Sequence, residues 1–385
     1  MIKIFSLRRM LVEYRKTAQG DMISTIGIGS SHMHEISPKG IEELLAYAAG
    51  QGVNLIDLAM SYPEPLDYIG KALKGKREQF FLQLHLGLTF PKGQYVRTRI
   101  LSKVKKGFEE QIGSLGTDYI DFGFIHYVDD TEDFEEVFSS GVFDYAKQLK
   151  KDGKIRYLGI ASHTADICQS FIETGDIDVC MFSVNAAYDL DPVHNVPFDE
   201  LDMTGQDRLS VSKERLRLYR ECEKRGIGIQ VMKPYGGGTL LNPGTSPFGR
   251  SLTVSQCIQY ALDRPGVLSC LLGVRSKADL EDGIQYDTVS KEERDYSFVA
   301  GLQHQDMRGT CVYCNHCLPC PANIDIGAVH KYLDLYMAGD ELAREHYLSL
   351  NKRAKDCIAC GSCEKNCPFH VEIIHKMRQA LAAMG

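Results

Sequence analysis

The sequence predicts a (β/α)8 barrel followed by a small α-helical domain built on two cysteine runs, and three observations lead there. Between residues 24 and 290, eight apolar runs of strand length alternate with amphipathic helical runs, the pattern of parallel strands joined by crossover helices. No G-x-G-x-x-G follows the first run, which weakens an open dinucleotide-binding sheet. The last quarter carries Cys311, Cys314, Cys317 and Cys320 before Pro321, and Cys357, Cys360, Cys363 and Cys367 before Pro368.

Residues 1–22 have mixed charge and little periodicity and read as a lead-in or a short hairpin. The predicted strands are 24–30, 54–60, 80–86, 119–126, 155–162, 178–185, 226–234 and 269–274. Helical patterns occupy 40–52, 100–116, 142–154 and 212–226, several ending on glycine, the usual helix stop. This places the barrel at 23–290 and the cysteine domain at 291–385. Barrel chemistry sits at the C-terminal strand ends, so Asp57, Tyr62, His85, His126, Ser162, His163, Asn185, Met232, Lys233 and Arg275 are the residues to inspect. For any one alone, a capping or loop-packing role is the default. The loop 186–211, with His194, Asp199, Glu200, Asp202 and Asp207, reads equally as a lid or a flexible insertion.

The second cysteine run has the C-x2-C-x2-C-x3-C-P spacing that wraps a [4Fe–4S] cubane, and the first is one residue shorter before its last cysteine. Because the fourth cysteine of each run reaches the other centre, Cys311, Cys314, Cys317 and Cys367 form one ligand set. Cys357, Cys360, Cys363 and Cys320 form the second. Zinc seldom uses a three-cysteine ladder ending in proline, and disulfides would need an oxidising compartment. Cys168, Cys180, Cys222, Cys257 and Cys270 lie in periodic apolar segments and read as small buried hydrophobes.

At 385 residues, 44% of them hydrophobic, the chain has material for one large core and one small. A formal charge of −7 without long basic blocks argues against nucleic acid or an anionic membrane as partner. No stretch approaches the ~18 consecutive apolar residues of a membrane span, nor is there a secretory h-region near the start. The expectation is a cytoplasmic protein with a small-molecule substrate and, through its clusters, a ferredoxin or other electron carrier as partner.

Taken together, GVNLIDLAMSY, FGFIH, RYLGIASHT, GIQVMKPYGGG and LLGVRS resemble the aldo/keto reductases, in the branch that carries a C-terminal [4Fe–4S] ferredoxin-like domain. The resemblance implies hydride transfer between a nicotinamide and a small carbonyl or alcohol. Tyr62 matches the family's proton donor, Asp57 its orienting aspartate and His126 the histidine that positions the carbonyl. His85 stands where the family has a lysine. Kept protonated by the neighbouring Asp57 carboxylate, it would act as that lysine; neutral, it gives a hydrogen bond but little field. A relay among Tyr62, His85 and His126 suited to enolisation or elimination is the alternative, and simple drift the bland one.

The resemblance also implies nicotinamide contacts at Ser162, His163, Met232 and Lys233, and phosphate contacts at Gly273, Arg275 and Ser276. Asp279 falls where relatives use arginine against a 2′-phosphate, so the expected cofactors are two [4Fe–4S] clusters, with NAD(P)H admitted and an NADPH preference disfavoured. Three functions stay open: an iron–sulfur oxidoreductase, a lyase or isomerase using the tyrosine–histidine site, and a non-catalytic electron-transfer or redox-sensing protein.

Overall fold

The computed structural model describes residues 12–190, 211–301, 309–311, 313, 315–340, 342–367 and 369–385. A hairpin of β1 (Tyr14–Lys16) and β2 (Met22–Ser24) opens them. The barrel strands are β3 (Ile26–Gly29), β4 (Leu55–Asp57) and β5 (Phe81–Leu86). After a two-stranded excursion, β6 (Leu88–Thr89) with β7 (Val96–Arg97), come β8 (Ile120–Ile125), β9 (Ile155–Ser162), β10 (Val179–Ser183), β11 (Gly228–Met232) and β12 (Val267–Gly273). The eight close in the order β3-β4-β5-β8-β9-β10-β11-β12, every neighbour parallel and β12 returning to β3. The predicted barrel is therefore present, each strand lying at one of the eight apolar runs.

Both faces of these strands are buried. Outward residues such as Ile28, Ile56, Leu84 and Ile160 pack under the helices, while Leu55, Phe122, Phe124, Tyr157, Val179, Met181 and Leu271 fill the barrel itself. Near-continuous apolar runs follow from this double burial. Phe122 stacks on Tyr157 at 4.7 Å inside the barrel, and a Cβ on Gly159 would come within 2.5 Å of the Phe124 ring, so that position needs glycine. The hairpin closes the N-terminal end: Ile23 is fully buried there and the Thr17 hydroxyl lies 3.0 Å from the Tyr157 hydroxyl.

The surrounding helices are α1 (Pro38–Gln51), α2 (Glu64–Ala72), α3 (Leu101–Leu115), α4 (Thr131–Ser139), α5 (Val142–Lys151), α6 (Ala165–Glu173), α7 (Ala186–Asp189), α8 (Lys213–Arg225), α9 (Val254–Leu262) and α10 (Lys277–Ile284). Ser37 caps α1 by accepting from the Gly40 amide, and Gly52 at φ 91° ends it. Gly116 and Gly226 end α3 and α8 in the same left-handed conformation. Helix α5 stops three residues before its predicted end, because Lys154 turns back to bond the Leu149 carbonyl through a left-handed Gly153.

The C-terminal part is helical: α11 (Ile326–Met337), α12 (Leu342–Ser349), α13 (Ser362–Asn366) and α14 (Ile373–Met384). Its core of Ile324, Val329, Leu333, Tyr347, Ile373 and Met377 is continuous with Leu88, Tyr95 and Tyr127 of the barrel. The two parts thus share one apolar cluster over the mouth of the barrel. The five non-motif cysteines are buried, as expected. His194, Asp199, Glu200, Asp202 and Asp207 of the expected lid lie outside the described residues, as does Cys314. Among the described residues no helix is long and apolar enough to cross a membrane.

Candidate active site

At the C-terminal strand ends a cavity of about 320 Å³ opens, within the size range of small-molecule sites. Asp57 at the end of β4, His85 on β5 and His126 just after β8 line it. The His85 Nε2 lies 2.9 Å from Asp57 Oδ1, and the Nδ1 atoms of His85 and His126 are 3.1 Å apart. On the far side of His126, its Nε2 is 2.7 Å from the hydroxyl of buried Tyr95.

The hydrogens follow from these contacts. With Asp57 as a carboxylate, His85 donates its Nε2–H to it and must accept at Nδ1. His126 then donates from Nδ1 and accepts at Nε2, where the Tyr95 hydroxyl donates. The four residues form a one-way chain from Tyr95 to Asp57. Burial, reinforced by His85, Arg99 and Arg97, holds the His126 imidazole well below its ordinary value, so the ring is neutral.

Tyr95 reaches this position on the β6–β7 excursion. Arg97 and Arg99 clamp that hairpin to Asp133 at the start of α4, at 2.6 and 2.7 Å, and Arg99 also donates to the carbonyls of His126 and Tyr127. Tyr62 is not among the cavity's lining residues. Its ring packs on His34 at 4.8 Å, and burial, with Asp325 and Glu64 nearby, pushes its hydroxyl up to about 12. Sequence reading missed Tyr95: it lies 31 residues from His126, on a segment without a strand-end signature.

A second polar line runs beside the first. His163 places Nδ1 2.8 Å from Asp129 Oδ2, its amide donates to the same carboxylate, and its Nε2 accepts from Lys233 Nζ at 2.6 Å. Burial outweighs Asp129 and lowers the His163 pKa. Ser162 donates to Asp129 and to the Thr164 carbonyl, and neither it nor His163 lines the cavity. Asn185 caps α7 and donates to the Lys233 carbonyl, a packing role.

Met232, Lys233, Gly273 and Arg275 do line the cavity, Ser276 does not, and Asp279 and Asp282 enter from α10. The Asp279 carboxylate accepts from the backbone amides of Arg275 and Ser276 at 2.7 and 3.0 Å, while the Arg275 guanidinium pairs with Glu35 at 3.2 Å. An anion thus already holds the amides, and the arginine's charge is matched. Arg275 and Lys331 both line this end of the cavity, with Asp279 beside them.

The roof comes from the cysteine domain. His316, adjacent to Cys317, lines the cavity and stacks on Tyr127 at 4.3 Å, with its ring 5.8 Å from His126 and 5.2 Å from His163. Phe369, two residues after Cys367, packs on His163 at 5.0 Å and under the Lys233 ammonium at 4.7 Å. Tyr313 and Lys331 complete the lining.

Cys320, Cys357, Cys360 and Cys363 surround a separate small cavity walled by Pro321, Ile324, Ile326, Ile373, Ile374 and Met377. The Ala359 amide donates to Cys357 Sγ at 3.4 Å from a left-handed φ of 52°. Four soft thiolates around an apolar-walled space, with Cys360 open to solvent, fit a cubane.

Residues 25–252 match the aldo/keto reductase family, and residues 310–372 match a 4Fe–4S dicluster domain. The chain belongs to the aldo/keto reductase family. It is the family's barrel joined to a ferredoxin-like domain. Aldo-keto reductase YhdN of Bacillus subtilis is 29% identical over 153 residues, which cover 39% of this chain and 45% of that protein. The NADH-specific methylglyoxal reductase of Escherichia coli is 28% identical over 202 residues, 49% of this chain and 54% of its own. The chain thus spans about half the length of these relatives. The solved holo-form structure of aldo-keto reductase AKR11C1 from Bacillus halodurans shares the fold, with a TM-score of 0.57 at 20% identity over 75% of this chain and 96% of that one.

Proposed function

We propose that this chain is an iron–sulfur oxidoreductase that interconverts a small carbonyl and its alcohol in the barrel cavity, with His126 handling the substrate proton. The observation that carries this reading is the Tyr95–His126–His85–Asp57 chain, two of whose links are shorter than the third. The His126–His85 contact, at 3.1 Å, is the longest. A carbonyl oxygen entering the cavity would take the His126 Nδ1–H in its place. Tyr95 then refills His126 from behind through Nε2, and Asp57 holds His85 in the tautomer that keeps the link polarised.

Reduction of the carbonyl to the alcohol consumes two electrons and two protons. Resident [4Fe–4S] clusters, held by Cys311, Cys314, Cys317 and Cys367 and by Cys320, Cys357, Cys360 and Cys363, would supply electrons one at a time. Asp57, His85 and His126 orient the substrate and pass protons, while His316 and Phe369 close the mouth against water. An acidic Asp279 near a 2′-phosphate would disfavour NADPH, which leaves NADH as the better suited of the two nicotinamides.

The test is anaerobic: protein with reduced clusters is mixed with a panel of small carbonyls, and alcohol formation is followed by mass spectrometry alongside bleaching of the clusters. NADH and NADPH serve as separate electron sources in parallel. Alcohol formed with reduced clusters and lost in His126→Gln supports the reading; no alcohol from any electron source sinks it. A second reading, proton transfer by a lyase or isomerase, draws on the His126–His85 contact. It predicts deuterium exchange into substrate without oxidation of the clusters.

A further inference from the structure

The two ligand sets lie in opposite surroundings. Cys317 is 8% exposed and its neighbour His316 lines the substrate cavity, whereas Cys360 is exposed and Ile358 is 65% exposed. The small cavity ringed by Cys320, Cys357, Cys360 and Cys363 shares no lining residue with the substrate cavity. One cluster would therefore abut the substrate and the other the solvent.

The exposed cysteine loop also differs in charge from the chain around it. The whole chain carries −7, yet from residue 352 to 370 four cations, Lys352, Arg353, Lys355 and Lys365, accompany only Asp356 and Glu364. Both carboxylates are already used: Asp356 accepts from the Arg353 amide and pairs with Lys352 at 3.2 Å, and Glu364 accepts from the Ile374 amide. Lys355 and Lys365 are exposed on either side of the apolar Ile358–Ala359–Cys360 tip. A [4Fe–4S] centre with its four thiolates carries about −2, which, together with the two carboxylates, the four cations offset, so Lys355 and Lys365, exposed beside the tip, are the charges an acidic protein would meet.

We propose that the Ile358–Cys360 loop, with Lys355 and Lys365, is the docking face for an acidic one-electron carrier protein that delivers electrons to the outer cluster. This rests on the oxidoreductase reading above. Each reduced carrier gives one electron to the outer cluster and leaves oxidised. With both centres held by the two cysteine sets, two such carriers would supply the pair of electrons that the carbonyl consumes, with protons entering through His126.

The experiment uses the full-length, cluster-loaded chain and a photoreduced, strongly acidic [2Fe–2S] ferredoxin as probe, with reduced methyl viologen as a small, non-docking reductant. Stopped-flow absorbance reads the rate of cluster reduction at several salt concentrations. In the wild type, ferredoxin should reduce the clusters at a rate that falls steeply with salt. Lys355→Glu with Lys365→Glu should slow that rate at low salt by about tenfold or more and flatten the salt dependence, leaving the viologen rate unchanged.

Equal ferredoxin rates in variant and wild type overturn the docking face. If neither reductant reduces the wild-type clusters, the oxidoreductase reading itself fails. Lys355→Gln with Lys365→Gln repeats the measurement without introducing acids, with iron content and electron paramagnetic resonance confirming intact clusters. A ferredoxin rate unchanged in this pair also overturns the proposal.

Discussion

The His316 ring lies on the Tyr127 ring, centroids 4.3 Å apart and planes 16° from parallel. One ring belongs to the cysteine domain and the other follows the barrel's fourth strand, so the cavity is complete only when the two are docked. Nearby, the Tyr95 and His316 rings stack on each other at 6.1 Å, and both meet His126 edge-on. The candidate proton donor and the candidate cluster ligands thus sit within one packed unit.

The first prediction concerns which phenol matters. Tyr95→Phe removes the donor behind His126, and kcat should fall by about tenfold or more with KM little changed. His126→Gln should cost about 10²–10⁴ in kcat, the range of general acid–base catalysis. Tyr62→Phe, away from the cavity, should leave kcat near wild type. Steady-state rates on the best carbonyl from the panel decide it; loss of turnover in Tyr62→Phe with Tyr95→Phe active would reverse the assignment.

A second prediction tests the clamp under Tyr95. Asp133 is buried and holds both Arg97 and Arg99. Asp133→Ala strands the buried Arg99 guanidinium and should cost about 3–5 kcal/mol, read as a lower denaturation midpoint. A loss below about 1 kcal/mol would mean that water replaces the carboxylate.

Much of this was legible in the sequence, for physical reasons that differ by region. Barrel strands such as 119–126 are buried on both faces and read as apolar runs, and cubane ligands sit on one short loop, so their spacing is local. The Tyr95–His126 contact is not local. It depends on a hairpin inserted after β5 and on arginines that tie it to α4. His316 and Phe369 carry no motif of their own, and the place of His316 over the cavity and of Phe369 against His163 and Lys233 comes only from the docking of two domains. At Arg275 the resemblance led to a phosphate contact, but whether its amides are available depends on where the Asp279 side chain turns.

Acid should destabilise the fold. His126 and His163 are held below the usual imidazole range by burial, and burial with Lys376 nearby pushes His330 down to about 3. Each is neutral in the fold and gains a proton on unfolding below pH 6.5, so stability present above that value is lost as pH falls toward the folded pKa values. Asp287, raised to about 6 by burial, acts oppositely and gains stability between pH 6 and 3.8. Burial holds His32 and His316 low as well, so the imidazoles outnumber the one carboxyl. Anaerobic urea unfolding should show less stability at pH 5.5 than at pH 7.5; a flat profile would contradict the buried, neutral histidines.

Cluster pairing can be read from iron content. Anaerobically isolated protein should hold about eight iron atoms per chain, for two [4Fe–4S] centres. Cys320→Ser and Cys360→Ser should each remove the same centre and leave identical residual resonance spectra. Cys367→Ser should leave the other one. A Cys320→Ser spectrum matching that of Cys367→Ser would break the exchange of fourth ligands.

The last prediction turns on His85. Between Asp57 and His126 it must both donate and accept, which an imidazole can do at its two nitrogens. A lysine there, as in the family pattern, would keep the bond to Asp57 but has no lone pair for the His126 Nδ1–H. His126 would then have to switch tautomer, accepting the lysine N–H at Nδ1 and donating its Nε2–H to the Tyr95 oxygen, so the chain from Tyr95 would run in reverse and no Nδ1–H would face the substrate. His85→Lys should therefore lower turnover with reduced clusters by about tenfold or more while retaining cluster content. If the substitution instead raises NADH-linked carbonyl reduction near pH 7, the site works by tuning a phenol with a charge, and the imidazole chain is not the proton path.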